Sequence, residues 1–303
     1  MIPERFAALG DPAALGPVAR ALVVDGYCLL PGAADPGRIA AMSRSLDARF
    51  AATPFSIGAF HGERTRRFHR LLLHSPHAHA LVLHEAVLGA ARTVLGPWCD
   101  FPELNLTQGV EIHPGAPAQI PHSDQAMWPG PKGAMEYCVN VFWPLGPFSA
   151  ANGATRVWPR SHLKPRDPAE PLPDPVVCAM APGDALLILG STVHAAGANR
   201  TDRPRRAAIV SYCLGWLKAY ENQSLAYPRE FVRTLDPELA ALLGYRWHRP
   251  NLGTYDGQCP SVLLGGEVPD HLATIDALSP QHEALVAQFA ARQPAAAVAR
   301  AGR

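Results

Sequence analysis

The chain has 303 residues, 48% of them apolar, and its 27 basic and 26 acidic side chains leave a formal net charge of +1. That balance supplies no basic face for nucleic acid, and no apolar run reaches the ~18 residues that would cross a bilayer. The length allows one large domain, or one domain with helical additions. Thirty-one prolines and 25 glycines fall between short apolar runs, a pattern that suits many short strands joined by turns. The six cysteines are far apart and form no Cys-x-x-Cys pair, so they read as reduced, mostly buried thiols of a cytoplasmic protein. The opening Met-Ile-Pro-Glu-Arg lacks the layout of a secretory signal.

In chain order, Asp11-Pro12 has the form of a helix cap followed by proline in the first turn, and predicts a short helix until Gly26. Tyr27 to Leu30 reads as a strand stopped by Pro31-Gly32. Asp35-Pro36 repeats the cap, and Ile39, Met42, Leu46 and Phe50 behind it form one apolar helical stripe. Residues 53–70 read as a loop holding His61-Gly-Glu63, taken as structural or substrate-proximal, while Arg64-Thr-Arg-Arg67 reads as solvated or salt-bridged surface. Ser75-Pro76 opens a helix that ends at Gly96-Pro97, with histidines 74, 77, 79 and 84 on its polar faces.

From Phe101 the period becomes that of strands. Leu104, Leu106, Val110 and Ile112 alternate, and further strands are predicted at 118–125, Tyr137–Phe142, Ala154–Trp158, Ala185–Leu189 and from Arg205 to Trp216. A proline-rich loop at 165–175 interrupts them. Asp236-Pro237 caps a helix over Leu239, Leu242 and Leu243, Ser261–Leu264 is strand-like, and Ser279-Pro280 caps a last helix that Pro294 ends; the alanine-rich tail beyond is expected to fray. Strands in the middle and helices at both ends predict a mainly β, α+β fold with a jelly-roll core.

The organising stretch is Gln119-Ile-Pro-His-Ser-Asp-Gln125. On an extended strand His122 and Asp124 would share a face. His194 follows a later strand, and Arg205 comes eleven residues after it. Two histidines and one carboxylate on one side of a metal leave open positions, the arrangement used by non-haem Fe(II) oxygenases. An arginine beyond them could clamp a carboxylate in bidentate fashion. Each residue has a plainer role available: a surface His–Asp pair, a satisfied core histidine, an edge-strand cation. All of these holding together in the right order is improbable.

Gln119-x-x-His122-x-Asp124, Asn152-Gly-Ala-Thr155 through Pro159-x-Ser-His162, Pro182-Gly-Asp184, and His194-x-x-Gly-x-Asn199 followed by Arg205 resemble the phytanoyl-CoA dioxygenase family. The resemblance covers roughly residues 20–265, and Trp216-Leu-x-x-x-Glu-Asn-Gln223 with Thr234-Leu-x-Pro-Glu-Leu239 is similar to its natural-product branch. It implies a double-stranded β-helix core, cupin-like and buttressed by terminal helices, with Fe(II), the cosubstrate 2-oxoglutarate and O2. It divides a single oxygenase domain, 1–303, into a mostly helical part (1–98), a β-helix core (99–218) and a C-terminal extension (219–303). By resemblance His122, Asp124 and His194 match the catalytic iron ligands, Arg205 the arginine on the distal carboxylate, and Gln119 and Thr155 further cosubstrate contacts. Asp124 itself disfavours the halogenating relatives, which carry a small residue there. Trp128, Phe142, Tyr212 and Trp216 are candidates for a substrate pocket, with Trp128 foremost and plain core packing the rival for each. The implied activity is oxidation, in the first place hydroxylation, of a small organic molecule in natural-product biosynthesis by a cytoplasmic enzyme, with a homodimer allowed and neither nucleic acid nor membrane as partner. The rivals are a silent jelly-roll protein whose metal site is closed by a fourth ligand such as His113 or His162, and a cupin-like dioxygenase without cosubstrate.

Overall fold

The computed structural model describes residues 4–163 and 170–293. Half of the expected proline-rich loop (165–169), the tail from Pro294 and the first three residues lie outside the described residues.

The strands are β1 (Tyr27–Leu30), β2 (Thr65–His69), β3 (Pro102–Ile112), β4 (Cys138–Pro144), β5 (Thr155–Val157), β6 (Val176–Val177), β7 (Ala185–Leu189), β8 (His194–Ala196) and β9 (Arg205–Leu214). They form an antiparallel six-stranded sheet in the order β1-β7-β4-β9-β3-β2 and a three-stranded sheet in the order β6-β5-β8. The helices are α1 (Pro17–Asp25), α2 (Pro36–Ser45), α3 (Asp47–Ala52), α4 (Leu71–His74), α5 (His77–Val82), α6 (Glu85–Leu95), α7 (Gln223–Ala226), α8 (Arg229–Val232), α9 (Pro237–Leu242) and α10 (Pro280–Ala291). None in the described residues is long and apolar enough to cross a membrane.

Strand parity decides what faces what. Val139, Val141 and Trp143 of β4 and Tyr212 of β9 point to the helical side, where α6 packs across β3, β4 and β9. Asn140 and Phe142 of β4 and Ala207 and Ile209 of β9 point the other way, into a cavity that Thr155, His194 and Ala196 of the smaller sheet help to line. The main apolar cluster runs from Phe6 to Leu243, through helices and strands alike. The stripe Ile39, Met42, Leu46 and Phe50 lies wholly inside it, each side chain contributing about 1.5–3 kcal/mol of burial.

Several expectations are corrected. After Asp11-Pro12 there is only a single 3-10 turn; Leu15 and Gly16 are extended, as suits residues ahead of Pro17, and α1 starts there. The helix expected from Ser75 is two, because His84 leaves helical geometry to bond the Ala33 carbonyl at 2.9 Å. Ser261–Leu264 is a 3-10 turn opened by Pro260, whose fixed φ favours it. The loop 53–70 ends in a strand, β2, that forms one edge of the large sheet, and β1 forms the other. Segment 118–125 is not a strand either. His122 makes a single bridge to His194, and the chain coils into a 3-10 turn at Asp124–Met127, anchored by Gln125 N–H on the Gly190 carbonyl.

Candidate metal centre

The bridge between His122 and His194 exchanges two backbone hydrogen bonds, of 3.0 and 2.9 Å, and sets their rings 4.6 Å apart. Asp124 reaches both although it has left the extended stretch. Its Oδ1 lies 3.3 Å from His122 Nε2 and its Oδ2 lies 3.5 Å from His194 Nε2. One ligand atom from each of the three residues falls within 4.8 Å of the others, and no other such group occurs among the described residues.

The surroundings fit a metal. His122 Nδ1 lies 2.9 Å from the Ile120 carbonyl and His194 Nδ1 lies 3.2 Å from that of Thr192. A carbonyl only accepts, so each Nδ1 carries a proton and Nε2 is the nitrogen left for a metal once the ring is neutral; in the protonated ring of His122 it donates to Asp124. Asn140 donates to Asp124 Oδ2 at 2.6 Å and fixes the carboxylate. Burial raises the Asp124 pKa, but His194, His122 and Arg67 outweigh it and hold the group below the usual carboxylate range. Burial, with His122 beside it, keeps His194 below the ordinary histidine value despite Asp124. His122 lies above that value, its burial outweighed chiefly by the hydrogen bond to Asp124. These residues could hold one divalent cation from one side. His113 is taken up by Glu111 at 2.6 Å and His162 by the Val23 carbonyl at 3.0 Å, so neither serves as a fourth ligand in this arrangement.

The triad opens on a cavity of about 340 Å³. Arg205 is buried in its wall with the guanidinium over the Phe148 ring at 4.1 Å. Its Nε and one Nη have no hydrogen-bond partner among the described residues. Burial, and Arg67 nearby, push its pKa down to about 9. A buried, unsatisfied cation is costly unless an anion completes it. Arg206 takes the opposite strand face and pairs with Glu111 at 2.6 Å and with Asp47, which rules it out as the clamp.

Thr155 lines the cavity beside the triad. Gln119 also lines it, yet its amide is engaged, accepting from Ala196 N–H at 3.3 Å and donating to the Phe60 carbonyl at 3.2 Å. Of the expected pocket aromatics, only Phe142 is there. Tyr212 has the wrong parity and bonds the Val82 carbonyl on the helical side. Trp128 is buried with its indole on the Lys218 carbonyl, and Trp216 turns its own to the Trp98 carbonyl. The cavity also holds Arg67, Asn140 and Tyr220, which the sequence reading left out of the site, and His61, which it took as structural or substrate-proximal. An asparagine inside the apolar run Cys138-Val-Asn-Val-Phe142 was a usable signal, since a buried polar side chain needs a partner. His61 turns to the cavity while its companion Glu63 is exposed, so the two form no ligand pair.

A family model described as Phytanoyl-CoA dioxygenase (PhyH) matches residues 22–207. Among curated relatives, the multifunctional dioxygenase prhA of Penicillium brasilianum is 29% identical over 266 residues, covering 81% of this chain and 88% of its own. Dioxygenase aneA of Aspergillus aculeatus is 30% identical over 246 residues, covering 76% and 82%. Among solved structures, the non-heme alpha ketoglutarate dependent epimerase SnoN from nogalamycin biosynthesis superposes with a TM-score of 0.56 at 25% identity, over 68% of this chain and 85% of that one. Its complex with Fe3+, alpha ketoglutarate and nogalamycin RO gives 0.55 at 25% identity, over 68% and 86%.

Proposed function

The chain belongs to the phytanoyl-CoA dioxygenase family, and from that premise we propose that His122, Asp124 and His194 hold its iron and Arg205 its 2-oxoglutarate. It is a dioxygenase that depends on both and acts on a small organic molecule of natural-product chemistry. We read the two antiparallel sheets, closed over one cavity, as a double-stranded β-helix, and the apolar cluster shared by all three parts of the chain supports a single domain.

One observation carries the assignment of roles: a three-ligand cluster opens on a cavity in which a buried arginine lacks a partner. Bound together, iron and 2-oxoglutarate would supply, with O2 as the oxidant, oxidative decarboxylation to succinate and CO2, one oxygen atom going to succinate and the other to the substrate in what is here proposed as hydroxylation. The protein's own residues do the rest. Arg205 takes the distal carboxylate of the cosubstrate, and Thr155 stands beside it. Asn140 holds Asp124 in place, and the Ile120 and Thr192 carbonyls hold both imidazoles in one tautomer. Leu106, Val110, Phe142 and Ile209 keep water off the reacting carbon and orient it.

The test needs no substrate. Titrating the metal-free protein with Fe(II) under argon, with and without 2-oxoglutarate, should give a weak visible charge-transfer band only when both are present. Iron binding without that band would mean a closed site, and a binding protein in place of an oxygenase.

A further inference from the structure

The segments that carry Asp124 and His194 share one support, the turn 190–192 between β7 and β8. Gly190 N–H donates to the Cys138 carbonyl at 2.7 Å, and the Gly190 carbonyl accepts Gln125 N–H at 3.0 Å, which carries the 3-10 turn presenting Asp124. The Thr192 carbonyl holds His194 Nδ1 at 3.2 Å, while Thr192 Oγ1 donates to the Gly26 carbonyl at 2.8 Å. The turn lies so close to the start of β4 that a Cβ on Gly190 would collide with Cys138 Sγ and come within 3.3 Å of Glu136 Oε1. A shift of this turn therefore moves Asp124 and His194 together.

Glu136 grips the middle of the turn. Its Oε1 accepts Ser191 N–H at 2.9 Å and its Oε2 accepts the Ser191 hydroxyl at 2.5 Å. Its one ion pair among the described residues is with Arg5, at 3.4 Å, and the same Arg5 Nη donates to Ser191 Oγ at 2.9 Å. Arg5 comes from the 3-10 segment Glu4–Leu9, which Phe6 anchors in the core with its ring 5.7 Å from that of Trp98. The Arg5 side chain is 3% exposed and that of Glu136 0%, so water serves neither charge. A buried ion pair roughly offsets its own desolvation and adds little to stability. What this one adds is direction, because an ionised Glu136 fixes both the backbone and the hydroxyl of Ser191. Without Arg5 the carboxylate is a buried charge with no counter-ion. It must take up a proton or draw in water, and either change loosens its grip on Ser191.

Resting on the assignment of His122, Asp124 and His194 to the metal, we propose that Arg5, Glu136 and Ser191 are positioning residues for the metal centre. Arg5 pairs with Glu136, Glu136 fixes Ser191, and the residues on either side of Ser191 set the Asp124 turn and the His194 ring. None of the three lines the cavity, so none touches metal, cosubstrate or substrate. An N-terminal segment far from every ligand in sequence is thereby part of what makes the centre.

The readout is Mn(II) affinity, taken from the free-ion EPR signal under argon and well below the melting temperature of each variant. Arg5→Met should weaken Mn(II) by about 10–100-fold, the range seen when the groups that orient metal ligands are lost. Arg5→Lys, which keeps the charge, should recover most of that. Ser191→Ala, which removes only the hydroxyl, should cost about threefold or more. Leu239→Ala in α9 is the control: it deletes a buried side chain, leaves all of these hydrogen bonds in place, and should lower the melting temperature with Mn(II) affinity unchanged. Unchanged affinity in Arg5→Met, or an equal loss in Leu239→Ala, overturns the proposal and leaves Arg5 and Glu136 as an ordinary structural pair. If Arg5→Met fails to fold by circular dichroism, Ser191→Ala decides in its place. A wild type that binds no Mn(II) sinks the ligand assignment instead. Long-range 1H–15N spectra of the metal-free, histidine-labelled protein then decide: His194 should hold its proton on Nδ1 in the wild type and mix tautomers in Arg5→Met, and the same tautomer in both overturns the positioning role.

Discussion

At the scale of single residues, the site depends on charges that the protein leaves incomplete. Arg205 is the clearest case. A buried guanidinium without an anion destabilises the ligand-free protein, so Arg205→Met should leave its melting temperature unchanged or raise it. The same change should weaken 2-oxoglutarate by about 30–100-fold with Fe(II) affinity unchanged. A parallel loss of iron affinity would remove Arg205 from the clamp role. Asp124→Ala should abolish iron binding and turnover, and Asn140→Val should weaken metal by about 10–100-fold, because the carboxylate loses the donor that orients it. Full activity in Asp124→Ala would end the triad assignment. The proposed ligand cluster could be picked out because its residue types and order point together to one metal. Nearness in sequence to the motif, by contrast, said nothing about strand face. Tyr212 and Trp128 were therefore expected in a cavity they do not line, and Arg67, one residue from Arg66 on the other face of β2, was read as surface.

At the scale of elements, starts were readable and interruptions were not. Asp35, Asp236 and Ser279 each accept backbone N–H groups ahead of a proline in the first turn, and α2, α9 and α10 begin where those local signals put them. The break at His84 and the edge strand β2 depend on partners far along the chain, Ala33 and β3, which no local pattern encodes. The joint between α1 and β1 yields a prediction of this kind. Gly26 has φ 84°, and a Cβ there would meet Thr192 Oγ1 at 2.4 Å and His162 Nδ1 at 2.5 Å. Gly26→Ala should cost about 2–4 kcal/mol, measured by denaturant unfolding. His162, packed against this joint, adds a pH dependence. Burial lowers its pKa to about 4, whereas the unfolded chain protonates near 6.5. The folded-state value is the depressed one, so stability is complete above about pH 6.5 and is lost as pH falls toward 4. Fully expressed, the loss approaches roughly 3 kcal/mol. Melting curves of the wild type and His162→Gln between pH 7 and 4.5 should converge toward the acid end. A constant difference across that range would show that His162 is not the group responsible.

At the scale of the molecule, the centre exists only when distant strands meet. Arg67 comes from β2, Asn140 from β4, Thr155 from β5, His194 from β8 and Arg205 from β9. Most of these strands lie in different sheets or at non-adjacent positions, so the unfolded chain has no comparable site. Whatever binds here therefore stabilises the folded state by mass action. Mn(II) with 2-oxoglutarate, each at about a hundred times its dissociation constant, should add about 2.7 kcal/mol for each independent site, or several degrees of melting temperature. Asp124→Ala should abolish the metal-dependent part of that shift. The C-terminal helix α10 serves as the control, since none of its residues is buried and Leu285, Val286 and Phe289 are exposed. Among the described residues, truncation after Ser279 removes no buried side chain, so both the basal melting temperature and the ligand-induced shift should persist within a degree or two. A truncated protein that melts early would mean that α10 acts on the fold through something other than burial. One that keeps its stability but loses the shift would tie the C-terminal segment to the site itself.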